Sequence, residues 1–510
     1  MLIMTIKIQS GEVWYGPWAH LGYAMPIDGN KEMSMNCMPV NSGNQVQPFM
    51  LSNQGRYVWA DDGFNVEIKN GELNFTRGEP VLNEECHTLR EAYLHAAKRH
   101  FPTDGQLPPE EFVTVPQYNT WIELGYEQTQ EAILKYAHAI IDNHMPPGIL
   151  MIDDNWSEYY GGWRFNKAFF PDAKAMIEEL HELGFKVMLW ICPFITPDRA
   201  EFRELRGKNC LVHERNKHGI MKPKMVDWWN GFSAVLDFSN PEAGKWLLGE
   251  TRKLMEEYGV DGFKLDAGDA MFYNEDDITF APITPNGQCE AWGMFGLNFK
   301  YNEYRACYKC AGKPLVQRLF DKNHRWEGNG LDTLIPNTLM QGLLGYAFTC
   351  PDMVGGGDYG DIYNAVSFDP ELFIRNVGAA CLLPMIQFSA APWRVLDAEY
   401  FQYCMNMVAL RQKHICYIMD CIRFAAKTGE PAARYMEYNF PGQGYEYITD
   451  QFMIGDSLLV APVLKKGETS REVVLPEGRW RNDITGEVLD GGRTVCVEAA
   501  LDQVPVFVKC

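Results

Sequence analysis

The sequence predicts an α/β fold: a (β/α)8 barrel of the TIM type with an N-terminal β-sandwich-like domain and a C-terminal β domain. Three observations lead there. Between residues 111 and 430, short apolar runs alternate with helical patterns, as successive βα units do. No Gly-rich phosphate turn follows the first such run, which favours a closed barrel over a doubly wound sheet. Residues 1–110 and 431–510 hold short alternating runs separated by Gly-rich turns, the pattern of antiparallel β structure. These three stretches are the expected domains.

In the first region Asp62-Gly63, Asn70-Gly71 and Arg77-Gly78 mark turns. Gly148-Ile-Leu-Met-Ile-Asp153 reads as a buried strand. A helix follows, with Pro171 in its first turn, Met176, Ile177, Leu180 and Leu183 on one face, and Gly184 closing it. Phe185-Lys-Val-Met-Leu-Trp-Ile191 is the next strand and Ala234-Val-Leu-Asp-Phe238 another. Asn240-Pro241 then caps and starts a helix that runs to about Tyr258. Val260-Asp-Gly-Phe-Lys-Leu265 is a further strand, with a helix expected over 299–310. Leu315-Val-Gln-Arg-Leu319 follows, with a helix over 333–345 behind it. A long helix over 400–425 precedes the C-terminal strands.

Bulk properties narrow the function. The chain has 510 residues, more than one ordinary core needs. Hydrophobic residues make up 46% and charged ones 22%, as in a well-packed globular protein; the 13% of aromatics suits either a large core or a sugar site. Formal charge is 46 − 67 = −21, so phosphate backbones and anionic lipid are repelled, and neither nucleic acid nor membrane is an expected partner. No stretch reaches the ~18 apolar residues that cross a bilayer. Residues 1–15 alternate polar and apolar without a leader-like apolar run, so a cytoplasmic location is expected. The 14 cysteines, many in apolar segments (Cys192, Cys350, Cys381, Cys404), read as reduced core thiols. Cys307-Tyr-Lys-Cys310, within the expected helix, reads as structural.

In a barrel, chemistry gathers at the C-terminal ends of the strands. There the sequence places Asp153, Asp154 and Trp156, then Trp190, Asp237, and Lys264 with Asp266 and Asp269. Arg318 and Asp321 follow, with Asp352 beyond a sixth end. Any single aspartate is more economically a helix cap or a solvated loop residue. Six ends with the same chemistry point further, to a carboxylate pocket walled by indoles. No His cluster accompanies them, so neither a metal nor another cofactor is expected. Such a pocket suits glycosidic bond cleavage. One carboxylate attacks the anomeric carbon and a second, protonated, donates to the leaving oxygen; they stand about 5–5.5 Å apart when configuration is retained.

At these residues the sequence resembles glycoside hydrolase family 31. Asp261-Gly-Phe-Lys-Leu-Asp-Ala-Gly-Asp269 is similar to that family's nucleophile strand, implying Asp266 as nucleophile; the acid three residues later, usually Glu, is Asp269 here. Ile152-Asp-Asp-Asn-Trp156, residues 185–194, Leu236-Asp-Phe-Ser-Asn-Pro-Glu242, Pro351-Asp-Met-Val-Gly-Gly356 and residues 451–463 match further pieces, so the resemblance spans roughly 110–510. The family's Trp-x-Gly-Asp acid/base signature has no literal copy; Trp326-Glu-Gly-Asn329 ends on a residue that cannot carry the proton. The branch of myogenesis-regulating glycosidases has Arg-x-x-Asp-basic with a Trp five residues on. Arg318-Leu-Phe-Asp-Lys322 with Trp326 fits, implying Asp321, and Arg305 stands sixteen residues before it. Asp332 is second choice, since it reads as a helix-start residue. The resemblance implies that Asp153 or Asp154, Trp190, Lys264 and Arg305 line the subsite of the cleaved sugar, with Trp228 and Trp229 as walls. Asp352 and Trp393 complete the expected substrate-binding set.

The expected activity is retaining, exo-acting hydrolysis of a small oligosaccharide or α-glycoside. The stretch Gln387-Phe-Ser-Ala-Ala-Pro-Trp-Arg394 lacks the His that family α-glucosidases carry there, and the branch implies α-galactosidase action. α-Glucosidase or α-xylosidase action, or a catalytically silent sugar-binding protein on the same fold, stands as the alternative. A Schiff-base aldolase using Lys264 is a further rival. A homo-oligomer is compatible with the sequence.

Overall fold

The computed structural model describes residues 3–362 and 368–510. The chain divides into two compact units, one of Pro39–Gly43 with Tyr118–Cys310, the other of Met1–Met38, Asn44–Gln117 and Ala311–Cys510.

In the first unit, strand Ile149–Ile152 pairs in parallel with Lys186–Ile191, that strand with Gly262–Leu265, and that one with Tyr301–Tyr304. Helices Ala173–Glu182, Pro241–Tyr258 and Pro285–Phe295 connect them. Each has readable ends. Asp172 accepts the Ala175 N–H; Asn240 accepts that of Glu242 ahead of Pro241; Thr284 accepts that of Gly287 ahead of Pro285. Gly259, at φ +82°, ends the second helix in a left-handed conformation that a Cβ disfavours.

Two expected elements differ. The run expected as barrel strand 234–238 is strand Gly231–Val235, antiparallel to Met225–Trp228 and to Phe194–Ile195. Register Trp228↔Gly231 closes a two-residue turn at Trp229-Asn230, and a hairpin, not a crossover, results. The helix expected over 299–310 is strand Tyr301–Tyr304, followed by Cys307–Tyr308. All four residues of Tyr301–Tyr304 are buried, Asn302 and Glu303 included, so an apolar period was absent from what is nevertheless an interior strand. Lys309 and Cys310 have φ of 62° and 30°, which no helix allows.

In the second unit, strand Val316–Arg318 pairs in parallel with Thr349–Cys350 across helix Leu331–Leu343, and Met353 bridges in parallel to Gln387 in strand Gln387–Phe388. The N-terminal part is two four-stranded antiparallel sheets. Lys69↔Glu72 closes on Asn70-Gly71, both at positive φ, as the expected turn requires. Helix Leu89–His100, not foreseen, follows. After helix Ala398–Thr428, residues 431–510 form an antiparallel six-stranded sheet and a two-stranded antiparallel sheet of Ser470–Leu475 with Arg493–Glu498, around Met453, Leu459, Leu475, Trp480 and Phe507. Among the described residues no helix is long and apolar enough to cross a membrane, and no three His, Cys, Asp or Glu side chains group as metal ligands.

Candidate active site

The parallel strands of the first unit deliver one cluster. Asp153 follows strand Ile149–Ile152, and its Oδ2 meets Lys264 Nζ at 2.5 Å; both side chains are buried. An isolated charge there would be costly, so each is the other's counter-ion. This pairing also argues against Schiff-base chemistry, because the Lys264 nitrogen engages a carboxylate rather than presenting a lone pair. Asp154 accepts from the Asn155 N–H at 2.7 Å, from the Tyr160 hydroxyl at 3.1 Å and from Asn230 Nδ2 at 2.5 Å. Burial, with the charges of Asp153 and Asp266 adding, pushes its pKa up to about 7.

Asp266 follows strand Gly262–Leu265. Its Oδ1 accepts from Arg305 Nε at 2.8 Å and from the Ala267 N–H at 2.7 Å; its Oδ2 accepts from the Trp190 indole at 3.1 Å. Arg305 follows strand Tyr301–Tyr304 and also grips Asp269 with two hydrogen bonds, Nη1 at 2.9 Å and Nη2 at 2.7 Å, while Nη1 donates to the Gly43 carbonyl at 2.6 Å. Burial alone would favour loss of the guanidinium proton. The charges of Asp269 and Asp266 outweigh it and hold Arg305 more firmly cationic than usual.

Aromatic rings flank this cluster. Trp190 and Trp228 lie nearly parallel with centroids 6.5 Å apart, and Tyr160 stands edge-on to Trp228 at 4.6 Å. Trp228 is buried and donates its indole N–H to Ser233 Oγ, whereas Trp229 is 50% exposed, with the Arg305 guanidinium 5.8 Å from its ring centre.

The second unit delivers the other cluster. Arg318 Nη1 donates to Asp321 Oδ1 at 2.9 Å and to Asp352 Oδ1 at 2.6 Å. Asp352 Oδ2 accepts the backbone N–H groups of Lys322 at 2.7 Å and Gly357 at 3.1 Å. Its side chain is 1% exposed, against 41% for Asp321. Asp352 thus braces Arg318, while Asp321 is the reachable carboxyl. Trp393 lies half-buried in the short helix Pro392–Val395.

Two other residues singled out in the sequence organise loops. Asp237 accepts from the Ser239 hydroxyl, the Phe280 N–H and Gln288 Nε2. Asp332 accepts the N–H groups of Gly328 and Gly330, a role at a helix start. Sequence reasoning missed Tyr160, Asn230 and the Gly43 carbonyl, which lie in turns or a loop without a recognisable motif.

Residues 114–420 match the model of the glycosyl hydrolases family 31 TIM-barrel domain, and residues 429–510 that of the glycosyl hydrolase family 31 C-terminal domain. The myogenesis-regulating glycosidase of Mus musculus is 33% identical over 429 residues, covering 81% of this chain and 59% of that protein. Alpha-glucosidase 2 of Bacillus thermoamyloliquefaciens is 25% identical over 426 residues, covering 76% of this chain and 52% of that one. The chain therefore spans little more than half the length of these curated relatives. A family 31 α-xylosidase from a soil metagenome, solved with xylose, superposes with a TM-score of 0.84 at 22% identity, over 99% of this chain and 79% of that chain. That likeness carries the fold: the TIM barrel, with sheet-rich N-terminal and C-terminal regions. On the match over 114–420 and 429–510, this chain belongs to glycosyl hydrolase family 31.

Proposed function

We propose that the chain hydrolyses a terminal α-linked sugar with retention of configuration, and that α-galactosides are its preferred substrates. The observation that carries this reading is the setting of Asp266. Its carboxylate stands at a strand end, 13% exposed, charged against Arg305 and oriented by the Trp190 indole. Oδ1 takes the stronger, charge-assisted bond, so Oδ2 is the oxygen to attack C1. Asp321, the exposed carboxyl of the second cluster, gives its proton to the leaving oxygen, then takes one from the water that releases the sugar. The buried pair Asp153–Lys264 and the Trp190 ring offer hydrogen bonds and an apolar face to the bound sugar. The change of pattern near residues 110 and 430 supports domain limits there.

The preference for galactose rests on the missing His in 387–394 and on the likeness to the myogenesis-regulating branch; α-glucosides and α-xylosides are the substrates named for other relatives. The test is colour release from 4-nitrophenyl α-galactoside, α-glucoside and α-xyloside. Asp266→Asn should lose several orders of magnitude in rate on whichever is cleaved. Near-normal turnover by that variant would refute the assignment, and faster release from the glucoside or xyloside would move the preference.

A further inference from the structure

The backbone carrying Arg318 and Asp321 is held from two sides by different means. On one side the N–H groups of Gln317 and Leu319 donate to the carbonyls of Phe348 and Cys350, at 3.0 Å each. The polar groups that alternate with them are met by side-chain amides. The Arg318 carbonyl accepts from Gln45 Nε2 at 2.9 Å, and the Phe320 N–H donates to Asn44 Oδ1 at 3.2 Å. Gln45 is steadied in turn: its Oε1 accepts from Gln341 Nε2 at 2.8 Å, and Gln341 Nε2 also donates to the Gln317 carbonyl at 2.9 Å. Asn44, Gln45 and Gln341 are all fully buried. Two consecutive residues far away in sequence thus bond the backbone at residues 318 and 320.

We propose that Asn44 and Gln45 are positioning residues for the general acid: they fix segment 318–321 so that the Asp321 carboxyl meets the leaving oxygen. The inference rests on the role given to Asp321 above. A general acid must come within about 2.6–3.2 Å of the atom it protonates, so a sub-ångström drift of this segment costs proton transfer before it costs binding. Removing either amide takes a bond from a backbone group one to three residues from Asp321, fully buried at the Arg318 carbonyl and partly buried at the Phe320 N–H.

A displaced acid has a signature that general damage lacks. An alkoxide departs only if protonated, whereas 4-nitrophenolate is stable enough to leave with little help. The measurement is kcat/KM on methyl and 4-nitrophenyl α-glycosides of the same sugar. Asn44→Leu, which keeps size but removes the acceptor, should lower the methyl glycoside rate about tenfold more than the aryl rate. Gln45→Met should do the same, and it carries the test if Asn44→Leu does not fold. Asn44→Asp, which keeps the acceptor, should restore most of the methyl glycoside rate. Equal loss on both substrates, or no loss on either, overturns the positioning role while the glycosidase reading stands. A parent enzyme that cleaves neither glycoside, or an Asp266→Asn variant as fast as the parent, overturns that reading, and no acid is then left to position.

Discussion

Arg305 holds two carboxylates at once, Asp266 through Nε and Asp269 through both terminal nitrogens, while also donating to a backbone carbonyl. Only a planar fork with donors in fixed directions meets all of these partners. Arg305→Lys keeps the charge but offers one compact ammonium, so Asp266 and Asp269 cannot both be held. We expect kcat/KM on an activated glycoside to fall about 100-fold, by analogy with other losses of a charge-assisted contact at the reacting carboxylate. A fall in kcat/KM of less than about threefold would show that the Asp266 carboxylate orients itself without the guanidinium. At this scale the resemblance names Asp266, Arg305 and Asp321, and the structure pairs Arg305 with Asp266 and Arg318 with Asp321. The sequence was silent on the contact of Asp269 with Arg305, which depends on two strand ends being neighbours.

At the scale of elements, the segment from helix Met436–Asn439 through residue 450 contains a pH-sensitive packing. Glu437 Oε1 accepts the Gly442 N–H at 3.0 Å, while its Oε2 and that of Glu446 are buried with no hydrogen-bond partner among the described residues. The same loop bonds to the N-terminal strands, Tyr15 to the Glu446 carbonyl and Tyr447 to Asp28. Burial, with the charge of Glu446 adding, lifts Glu437 to about 7. The native state therefore keeps this proton up to about pH 7, whereas the unfolded chain releases it from about 4.5. Its contribution to stability is complete below the lower value and is lost as pH rises through the upper one. Glu437→Gln mimics the protonated form, so its melting temperature relative to the parent should climb between pH 5 and 8. A pH-independent difference would refute this. Among elements, helices with caps were legible: Asn240-Pro241 starts its helix as read. Strand Tyr301–Tyr304 was not, because Tyr-Asn-Glu-Tyr shows no apolar period and its polar residues are buried by neighbours the sequence does not reveal.

For the whole molecule, the N-terminal sheets belong to the same compact unit as residues 311–510. Tyr15 packs on Tyr435 at 5.3 Å, and Gln45 reaches the Arg318 carbonyl. A chain begun at Leu89 would lose Trp14, Tyr15 and Phe49, all fully buried, and uncover their partners. Each such side chain contributes about 1.5–3 kcal/mol, against about 5–15 kcal/mol for a typical folded domain. Circular dichroism of that shortened chain should show no cooperative melting; a transition within a few degrees of the parent would mean that the sheets are an appendage. The sequence by itself determined much of the βα alternation, the start of helix Pro241–Tyr258, the turn at Asn70-Gly71 and the acidic motifs, because each depends on residues within a few positions of one another. The tertiary structure alone decided that Lys264 answers Asp153, that Arg305 joins Asp266 to Asp269, and that Gln45 and Asn44 bond the backbone at residues 318 and 320. These partners lie from tens to hundreds of residues apart. No local preference encodes such pairings; they follow from the need of buried charges and backbone polar groups to find a partner once water is excluded.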